Sequence, residues 1–517
     1  MPDGRVGSRA EKTSDPAREV GAAGGMTIAP TLPLPGVVAA MLRETPELRQ
    51  AYIVGGCVRD WLLGRPVTDY DIEVFQVDYP ELLRALSRWG SARWVGRCFG
   101  TVKLRLAEGV NVDFSLPRRA FGASRRGSGE AVYDPHLSLA EAAARRDFTL
   151  NALLYDPRQQ RLLDFVGGLQ DLKRSVLRHT SDAFVEDPLR VLRGMQLASR
   201  FNLVPAPETI GLCRQMTTAY GQIAAERIWE EWRKWATQSA MPSAGLRFLD
   251  ATTWSWHYPE IQALKATPQD PEWHPEGDVF RHTCQCCDAM VRLPGWQAAA
   301  DQGRAVYLLA ILAHDFGKPA TTQTVQKGGR LRIVSPGHDR VGAQRAEDFL
   351  RRIHAPKAIV QRVKPLVKNH LAHLQGPTDR MVRRLAQRLV PETIESLTLV
   401  MCADHLGRQP GPAIIPESIR ALQRKAAALR VARAAPAPLL KGRHLLDGGM
   451  APGPAMGAVL RAAYAAQLDG AFDDLEGALQ WVQSHGVGVA LSERLQPDSR
   501  PESRRGSQQP RLDNGLG

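Results

Sequence analysis

The 517-residue chain carries 67 Lys and Arg against 54 Asp and Glu, a net charge of +13, with 44% hydrophobic residues. That length exceeds one hydrophobic core, so about three or four domains are expected, and neither a bilayer-spanning apolar run nor a signal-type leader is found. Seven scattered cysteines do not make a disulfide framework, which points to a reducing cytoplasm, and the arginine-rich excess suits a polyanionic partner.

Residues 1–33 begin with the polar, Gly-rich MPDGRVGSRAEKTSDPAREVGAAGG and are expected to be a disordered tail, with Met26 a candidate start. An α/β head is expected over 34–180. Residues 51–54 and 71–75 are strand-like. TVKLRL (101–106) and VNVDFSL (110–116) alternate polar with apolar across Glu108-Gly109, as a hairpin does.

Within the head, YIVGGCVRDWLLGRPVTDYDIEVF (52–75) carries the first chemical pattern. Alternation places Asp69, Asp71 and Glu73 on one strand face and Tyr70, Ile72 and Val74 on the other. The apolar face packs inward, and aligned carboxylates repel unless a cation lies between them. Mg²⁺ prefers carboxylates combined with substrate phosphates, and two carboxylates can share two such ions. Gly55 and Gly56 allow close backbone approach, the helix they open offers free N–H groups, and Arg59 adds a charged grip on phosphate. Asp113, on the polar face of its own strand, is a candidate third carboxylate. A Gly-Gly turn alone is ordinary; Gly-Gly-x-Val-Arg-Asp followed nine residues later by Asp-x-Asp is not.

Residues 181–268 are expected to be all-helical. AFVEDPLRVLRGMQLASRF and AAERIWEEWRKWA carry apolar residues at three- and four-residue steps. Asp187 before Pro188 has the form of a helix start, an N-cap carboxylate with proline at the first helical position. Arg190 and Arg193 follow on the face above it. An aspartate accepts from an exocyclic amine and an arginine donates to a ring nitrogen, so the pair can also read a Watson–Crick edge.

Residues 269–423 are helical and histidine-rich. His314 and Asp315 adjoin after an apolar run (LLAILAHDFGKPATT), His282 lies upstream, Asp404 downstream, and His338 and His370 between. Neutral imidazoles and carboxylates are the ligand set for a divalent transition metal or Mg²⁺, and an open site of that kind turns water into a nucleophile. Cys284 and Cys287 have CxxC spacing but no second pair follows, so helix-packed thiols are expected in place of zinc. Residues 424–438 are an Arg/Ala/Pro linker, 439–490 a small helical domain and 491–517 a disordered tail. The Gly453-Pro454 and Gly457 turn, with nearby Arg and Lys, suits either an RNA backbone or a helical cap on the preceding domain.

Taken in order, these motifs resemble the class II template-independent nucleotidyltransferases, the tRNA CCA-adding enzymes and bacterial poly(A) polymerases. The resemblance spans roughly residues 45 to 410 and adds RRDFTLNALLYD (145–156), LLDFVGGLQDL (162–172), EDPLRVLRGMQLASRF (186–201) and ERIWEEW (226–232) to the opening signature. It implies an α+β fold: a polymerase-β-like head with a mixed sheet and helices, an all-α neck and body, an α-helical HD domain and a small helical C-terminal domain. It implies CCA addition to tRNA from CTP and ATP, with Asp69 and Asp71 catalytic and holding Mg²⁺. Gly56, Arg59, Arg146, Asp147, Asn151, Asp187, Arg190 and Arg193 would bind the nucleotide. A bacterial poly(A) polymerase or a partial CC- or A-adding enzyme shares the same motifs. The histidine segment resembles the HD-superfamily metal phosphohydrolases, with His282, His314, Asp315 and Asp404 as ligands, His338 and His370 at positions found in some members, and Ni²⁺, Mn²⁺ or Mg²⁺ as the metal. The implied partners are tRNA, ATP and CTP, in the cytoplasm, with no membrane or DNA; monomer and homodimer both remain open.

Overall fold

In the computed structural model, which describes residues 25–27, 31–95, 100–106, 110–121, 131–408 and 414–485, the alternating apolar positions of the head pair into one mixed sheet. Its strands are β1 (Gly25–Thr27), β2 (Ala51–Val54), β3 (Tyr70–Val74), β4 (Gly90–Val95), β5 (Thr101–Leu106), β6 (Asn111–Ser115), β7 (Leu154–Asp156) and β8 (Arg161–Leu163), in the spatial order β1-β8-β7-β2-β3-β6-β5-β4. Every junction is antiparallel except β3 with β6. That parallel pairing sets Asp71 opposite Asp113 and Ile72 opposite Phe114. Ile72 and Phe114 are fully buried, so hydrophobic burial fixes the register and thereby the position of the two aspartates on the other face.

Three features of the head differ from expectation. Gly25–Thr27, placed in the tail by its composition, is an edge strand paired with Arg161–Leu163. Gly90–Val95, β7 and β8 are strands without a sequence forecast. Asp69 stands just before β3, not within it. The Glu108-Gly109 turn, the rest of the amino-terminal tail and the tail 491–517 lie outside the described residues.

The chain then becomes helical. α1 (Gly56–Leu62) lies in the head, α2 (Leu189–Phe201) and α3 (Ala225–Gln238) in the neck. α2 buries Leu192 and Met195 and ends where Asn202 turns left-handed at φ 51°. α3 presents Ile228, Trp232 and Trp235 at four- and three-residue steps to the same core. Trp232 donates its indole N–H to Tyr258 at 2.9 Å and meets Phe349 edge-on at 5.3 Å. Aromatic packing thus runs from the neck into the histidine-rich helices α4 (Val279–Arg292), α5 (Asp301–Ala313), α6 (His338–Arg352) and α7 (Lys357–Asn369). α5 is buried from Ala305 to Ala313 almost without interruption, which drives its end, His314 and Asp315, into the interior.

Two compact units result. One holds the described residues up to Ala372 with Ser396–Ile419, including most of α8 (Ile394–Leu406); the other holds His373–Glu395 and the described residues from Arg420 on. The second unit has its own core around Leu440, Leu445, Val459, Ala463 and Val482. Helix Asp379–Leu389, grouped by sequence with the histidine segment, belongs here because its Arg380 and Arg384 pair with Asp469. The expected linker 424–438 is helical as far as Ala428. Among the described residues no helix is long and apolar enough to cross a membrane.

Asp164 accepts from the N–H groups of Gly168 and Leu169, both at 2.9 Å, and so caps the short helix Gly168–Lys173. A Cβ on Gly168 would stand 2.1 Å from the Thr149 carbonyl oxygen, and a main-chain neighbour cannot move aside. Gly168→Ala is therefore expected to lower the unfolding free energy by about 1–3 kcal/mol, measured by chemical denaturation against an Ala substitution at exposed Gln170.

Candidate functional site

A cleft of about 570 Å³ opens between the head and α2–α3. Its floor comes from β3 and the turn into α1. Gly55 sits at φ 77°, a conformation glycine alone adopts freely. A Cβ there would come to 3.4 Å from Arg146 Nη1 and 3.6 Å from Asp71 Oδ2, so the glycine leaves room for both charges. Asp71 opens into the cleft. The surrounding protein raises its pKa; Arg146 pulls it down, and the carboxylates of Asp113 and Asp69 push it up again. Asp69 is exposed, and Asp113 pairs with Lys103 at 3.2 Å. Asp71 lines the cleft and feels the charges of Asp69 and Asp113 beside it; carboxylates are the donor type a hard divalent cation prefers.

Glu73 corrects the picture of an open acidic face. It is 6% exposed and pairs with Arg146 at 3.0 Å. Strand alternation predicts its side correctly but not its depth.

Beyond the floor, a polar chain, buried at Arg59, Asn151 and Asp147 and exposed at Arg193, crosses from head to neck. Arg59 donates to Asn151 Oδ1, Asn151 Nδ2 donates to Asp147 Oδ1 at 3.1 Å, and Arg193 Nε lies 2.8 Å from Asp147 Oδ2. The Phe148 N–H adds a further 2.8 Å bond to Asp147. Burial raises the Asp147 pKa, but Arg193 and the hydrogen bond from Asn151 outweigh it, and the carboxyl lies below its ordinary range. Arg59 also stacks 4.4 Å above the Phe201 ring.

Asp187 and Arg190 line the same cleft and are set by their surroundings. α2 begins at Leu189, one residue later than the sequence pattern indicates, with Pro188 in the cap position. Asp187 nevertheless caps it, accepting from the Leu189 N–H at 3.1 Å. Its carboxylate is gripped from α3 by Arg227 through two contacts of 2.8 and 3.3 Å. Arg190 donates to the carbonyls of Ala183 and Arg145 at 2.7 and 2.6 Å. Burial and the nearby Arg118 charge lower its pKa to about 10, which leaves it cationic at neutral pH. Arg227 is the residue that motif spacing misses; its only sequence signal is its place in ERIWEEW.

The second cluster gathers all six histidines and aspartates expected of it. His282 Nε2 lies 3.2 Å from Asp404 Oδ1 and 3.7 Å from Asp315 Oδ2; His314 Nε2 is 3.2 Å from Asp315 Oδ2. His338 Nε2 is 3.4 Å from Asp315 Oδ1 and 3.2 Å from His370 Nε2. The Nδ1 atoms of His314, His338 and His370 donate to the carbonyls of Ile311, Ser335 and Val367 at 2.6, 2.7 and 2.7 Å. His282 Nδ1 meets the Glu276 carboxylate at 2.6 Å. Each ring is thereby fixed with Nε2 turned inward, as metal-binding histidines are held.

The cluster concentrates buried charge. The Nε2 atoms of His338 and His370 stand 3.2 Å apart, and Asp315 Oδ2 lies between His314 Nε2 at 3.2 Å and Lys318 Nζ at 2.7 Å. Burial and the neighbouring histidines hold His370 at about 3, hence neutral. Burial raises the Asp315 and Asp404 pKa values, but His314 and Lys318 around Asp315, and Arg408 with His282 around Asp404, bring both well below the usual range. Lys318 reaches Asp315 at 2.7 Å and Arg408 reaches Asp404 at 3.1 Å. Glu276, Lys318 and Arg408 are further members that sequence spacing does not single out. Cys284 and Cys287 are buried helix-packed thiols, and burial raises both pKa values.

The chain is similar to known proteins along most of its length. Residues 51–178 match the family model described as the poly A polymerase head domain. The chain is 34% identical over 432 residues to a multifunctional CCA protein of Xanthomonas campestris, covering 81% of this chain and 97% of that protein. It is 34% identical over 374 residues to one from Xylella fastidiosa, covering 69% and 84%. Its fold is similar to a Bacillus stearothermophilus CCA-adding enzyme in complex with CTP (TM-score 0.58, 22% identity, 88% of this chain and 98% of that one). It is also similar to a Thermotoga maritima CCA-adding enzyme complexed with tRNA (TM-score 0.54, 18% identity, 88% and 96%).

The inward-facing imidazoles predict that Ni²⁺ or Mn²⁺ stabilises the metal-stripped protein. At a hundredfold excess over its dissociation constant the gain is about 2.7 kcal/mol, visible as a rise in melting temperature. Asp315→Asn should abolish the rise.

Proposed function

The chain belongs to the family of the multifunctional CCA proteins, class II CCA-adding nucleotidyltransferases, and from that premise we propose that it builds the CCA end of tRNA from CTP and ATP without a template. The observation that carries this reading is the joint cleft, with Asp71 on its floor and the preset Asp187 and Arg190 on its wall. The tRNA 3′ hydroxyl attacks the α-phosphorus of the nucleotide, the new O–P bond forms as the α–β bridge breaks, and pyrophosphate leaves. Mg²⁺ held by Asp69 and Asp71 would activate the 3′ oxygen and neutralise the leaving phosphates. Arg146 and Arg59 supply a positive field on the same floor for the triphosphate. The chain Arg59–Asn151–Asp147–Arg193 keeps that floor in register with α2, and the family resemblance implies that Asp147 and Asn151 would lie near the ribose.

Base selection follows from donor and acceptor order. Cytosine and adenine both carry an exocyclic amine beside a ring-nitrogen acceptor; uracil and guanine carry a carbonyl beside an N–H. A carboxylate at Asp187 accepts from the amine and the Arg190 guanidinium donates to the ring nitrogen. Arg227 and the two carbonyls hold the pair in place before the base arrives, so little reorganisation is required. Each mismatch with UTP or GTP costs about 1–3 kcal/mol.

For the histidine cluster we propose a divalent-metal phosphohydrolase of the HD type, holding Ni²⁺, Mn²⁺ or Mg²⁺ and cleaving 2′,3′-cyclic phosphates, 2′-nucleotides or similar monoesters. The paired Nε2 atoms and the two low-pKa aspartates support it. The tRNA substrate and the six buried, unpaired cysteines among the described residues suit action in the cytoplasm.

Offered tRNA lacking its CCA end, the protein should add discrete CCA with CTP and ATP together, as read by sequencing the products. A long adenosine tail would transfer the reading to a poly(A) polymerase, and arrest after CC or failure before A to a partial enzyme. Asp71→Asn should slow single-turnover addition by roughly 10²–10³-fold. Hydrolysis of 2′,3′-cyclic AMP with added Ni²⁺ or Mn²⁺ should disappear in Asp315→Ala while CCA addition persists; hydrolysis that survives defeats the assignment.

A further inference from the structure

The ligand atoms of the histidine cluster fall into two groups, each a lobe of the site. Asp315 Oδ1, His338 and His370 face one. His282, His314 and Asp404 face the other, and there they are joined by a sulfur: Cys286 Sγ lies 3.3 Å from His282 Nε2. One ligand atom from each of His282, Cys286, His314 and Asp404 falls within 4.8 Å of the others, and all four residues are buried.

The position is imposed by the helices. Cys286 follows His282 by one turn of α4, on the same face. A Cβ on Gly407 would stand 2.3 Å from Cys286 Sγ and 2.7 Å from its main-chain nitrogen. Only glycine there lets the end of α8 approach α4 closely enough to bring Asp404 beside the thiol. Two ligand atoms of a tetrahedral ion, nitrogen at ~2.1 Å and sulfur at ~2.3 Å, lie ~3.6 Å apart, close to the observed separation. The thiol is also 3.6 Å from the Asp404 carbonyl, an S–H donor contact that would account for the sulfur alone. It does not account for His314, 1% exposed, whose Nε2 joins the same group 3.9 Å from Asp404 Oδ1.

We propose that the Cys286 thiolate is a ligand of the metal held by His282, His314 and Asp404, and that it biases this lobe toward the borderline-soft cations Zn²⁺, Co²⁺ and Ni²⁺ over Mg²⁺. The inference rests on the metal-binding reading of this cavity. On binding, the S–H bond breaks, a metal–sulfur bond forms and the proton passes to solvent; no electrons are exchanged.

The test is Co²⁺ titration of the full-length, metal-stripped, reduced protein. The expected result is a near-ultraviolet sulfur-to-cobalt charge-transfer band that saturates with the visible d–d bands, persists in Cys284→Ser and vanishes in Cys286→Ser. Cys286→Ser should still bind metal, with Zn²⁺ affinity reduced roughly tenfold or more and Mn²⁺ affinity unchanged. Stoichiometric Co²⁺ with d–d bands but no band dependent on Cys286 overturns the proposal and leaves the metal site standing. Co²⁺ binding no tighter in the wild type than in His314→Ala overturns both.

Discussion

The ion pair between Asp147 and Arg193 joins two parts of the chain that carry different halves of the chemistry. Through Asn151 it reaches Arg59 on the head, and through Arg193 it reaches α2 in the neck. A carboxylate buried to this degree is tolerated only when its charge and lone pairs are met, although solvent at the exposed Arg193 screens that side of the pair. Asp147 meets that demand with Arg193, Asn151 and the Phe148 N–H. The same contacts fix the turn Thr149–Asn151, which Gly168 and the Thr149–Asp171 hydrogen bond (2.8 Å) hold from beneath. The cleft therefore has a shape before any nucleotide enters.

The histidine cavity answers the same demand differently. Around Asp147 the opposite charge is built into the chain. Around Asp315 and Asp404 it is only partly supplied, by Lys318 and Arg408, while four imidazoles turn their Nε2 atoms inward. Their outer nitrogens are committed to carbonyls and to Glu276, so the rings cannot swing away to relieve the crowding. A divalent ion would complete such a shell; water, with two protons, satisfies fewer of its acceptors. Placement at the end of the buried helix α5 and beside α8 makes the cavity part of the core.

Much of this was legible in the sequence because the signals were local. Alternation on β3 and β6 predicts the faces of Asp71 and Asp113, and Asp187 before Pro188 predicts the start of α2 to within a residue. The histidines and aspartates of the cluster are ligand-type residues gathered in one helical stretch of sequence. What stayed hidden depended on distant partners. Nothing near Glu73 announces Arg146, and nothing near Asp187 announces Arg227, forty residues on. The strands β1, β7 and β8 span three residues each, too short for alternation to be recognised. At α4 the CxxC spacing directs attention to Cys284 and Cys287; the relevant relation is the four-residue step from His282 to Cys286.

The central claim is that the Asp147 pair aligns Asp71 of the head with Asp187 and Arg190, the residues proposed to read the base. Single-turnover addition of one cytidine to tRNA by Asp147→Asn, which keeps the shape and removes the charge, tests it most directly, with Co²⁺ uptake by the histidine cavity as the control for an intact fold. The account predicts a fall of roughly a hundredfold or more in the rate with metal uptake unaltered. An unchanged rate in the folded variant would contradict it.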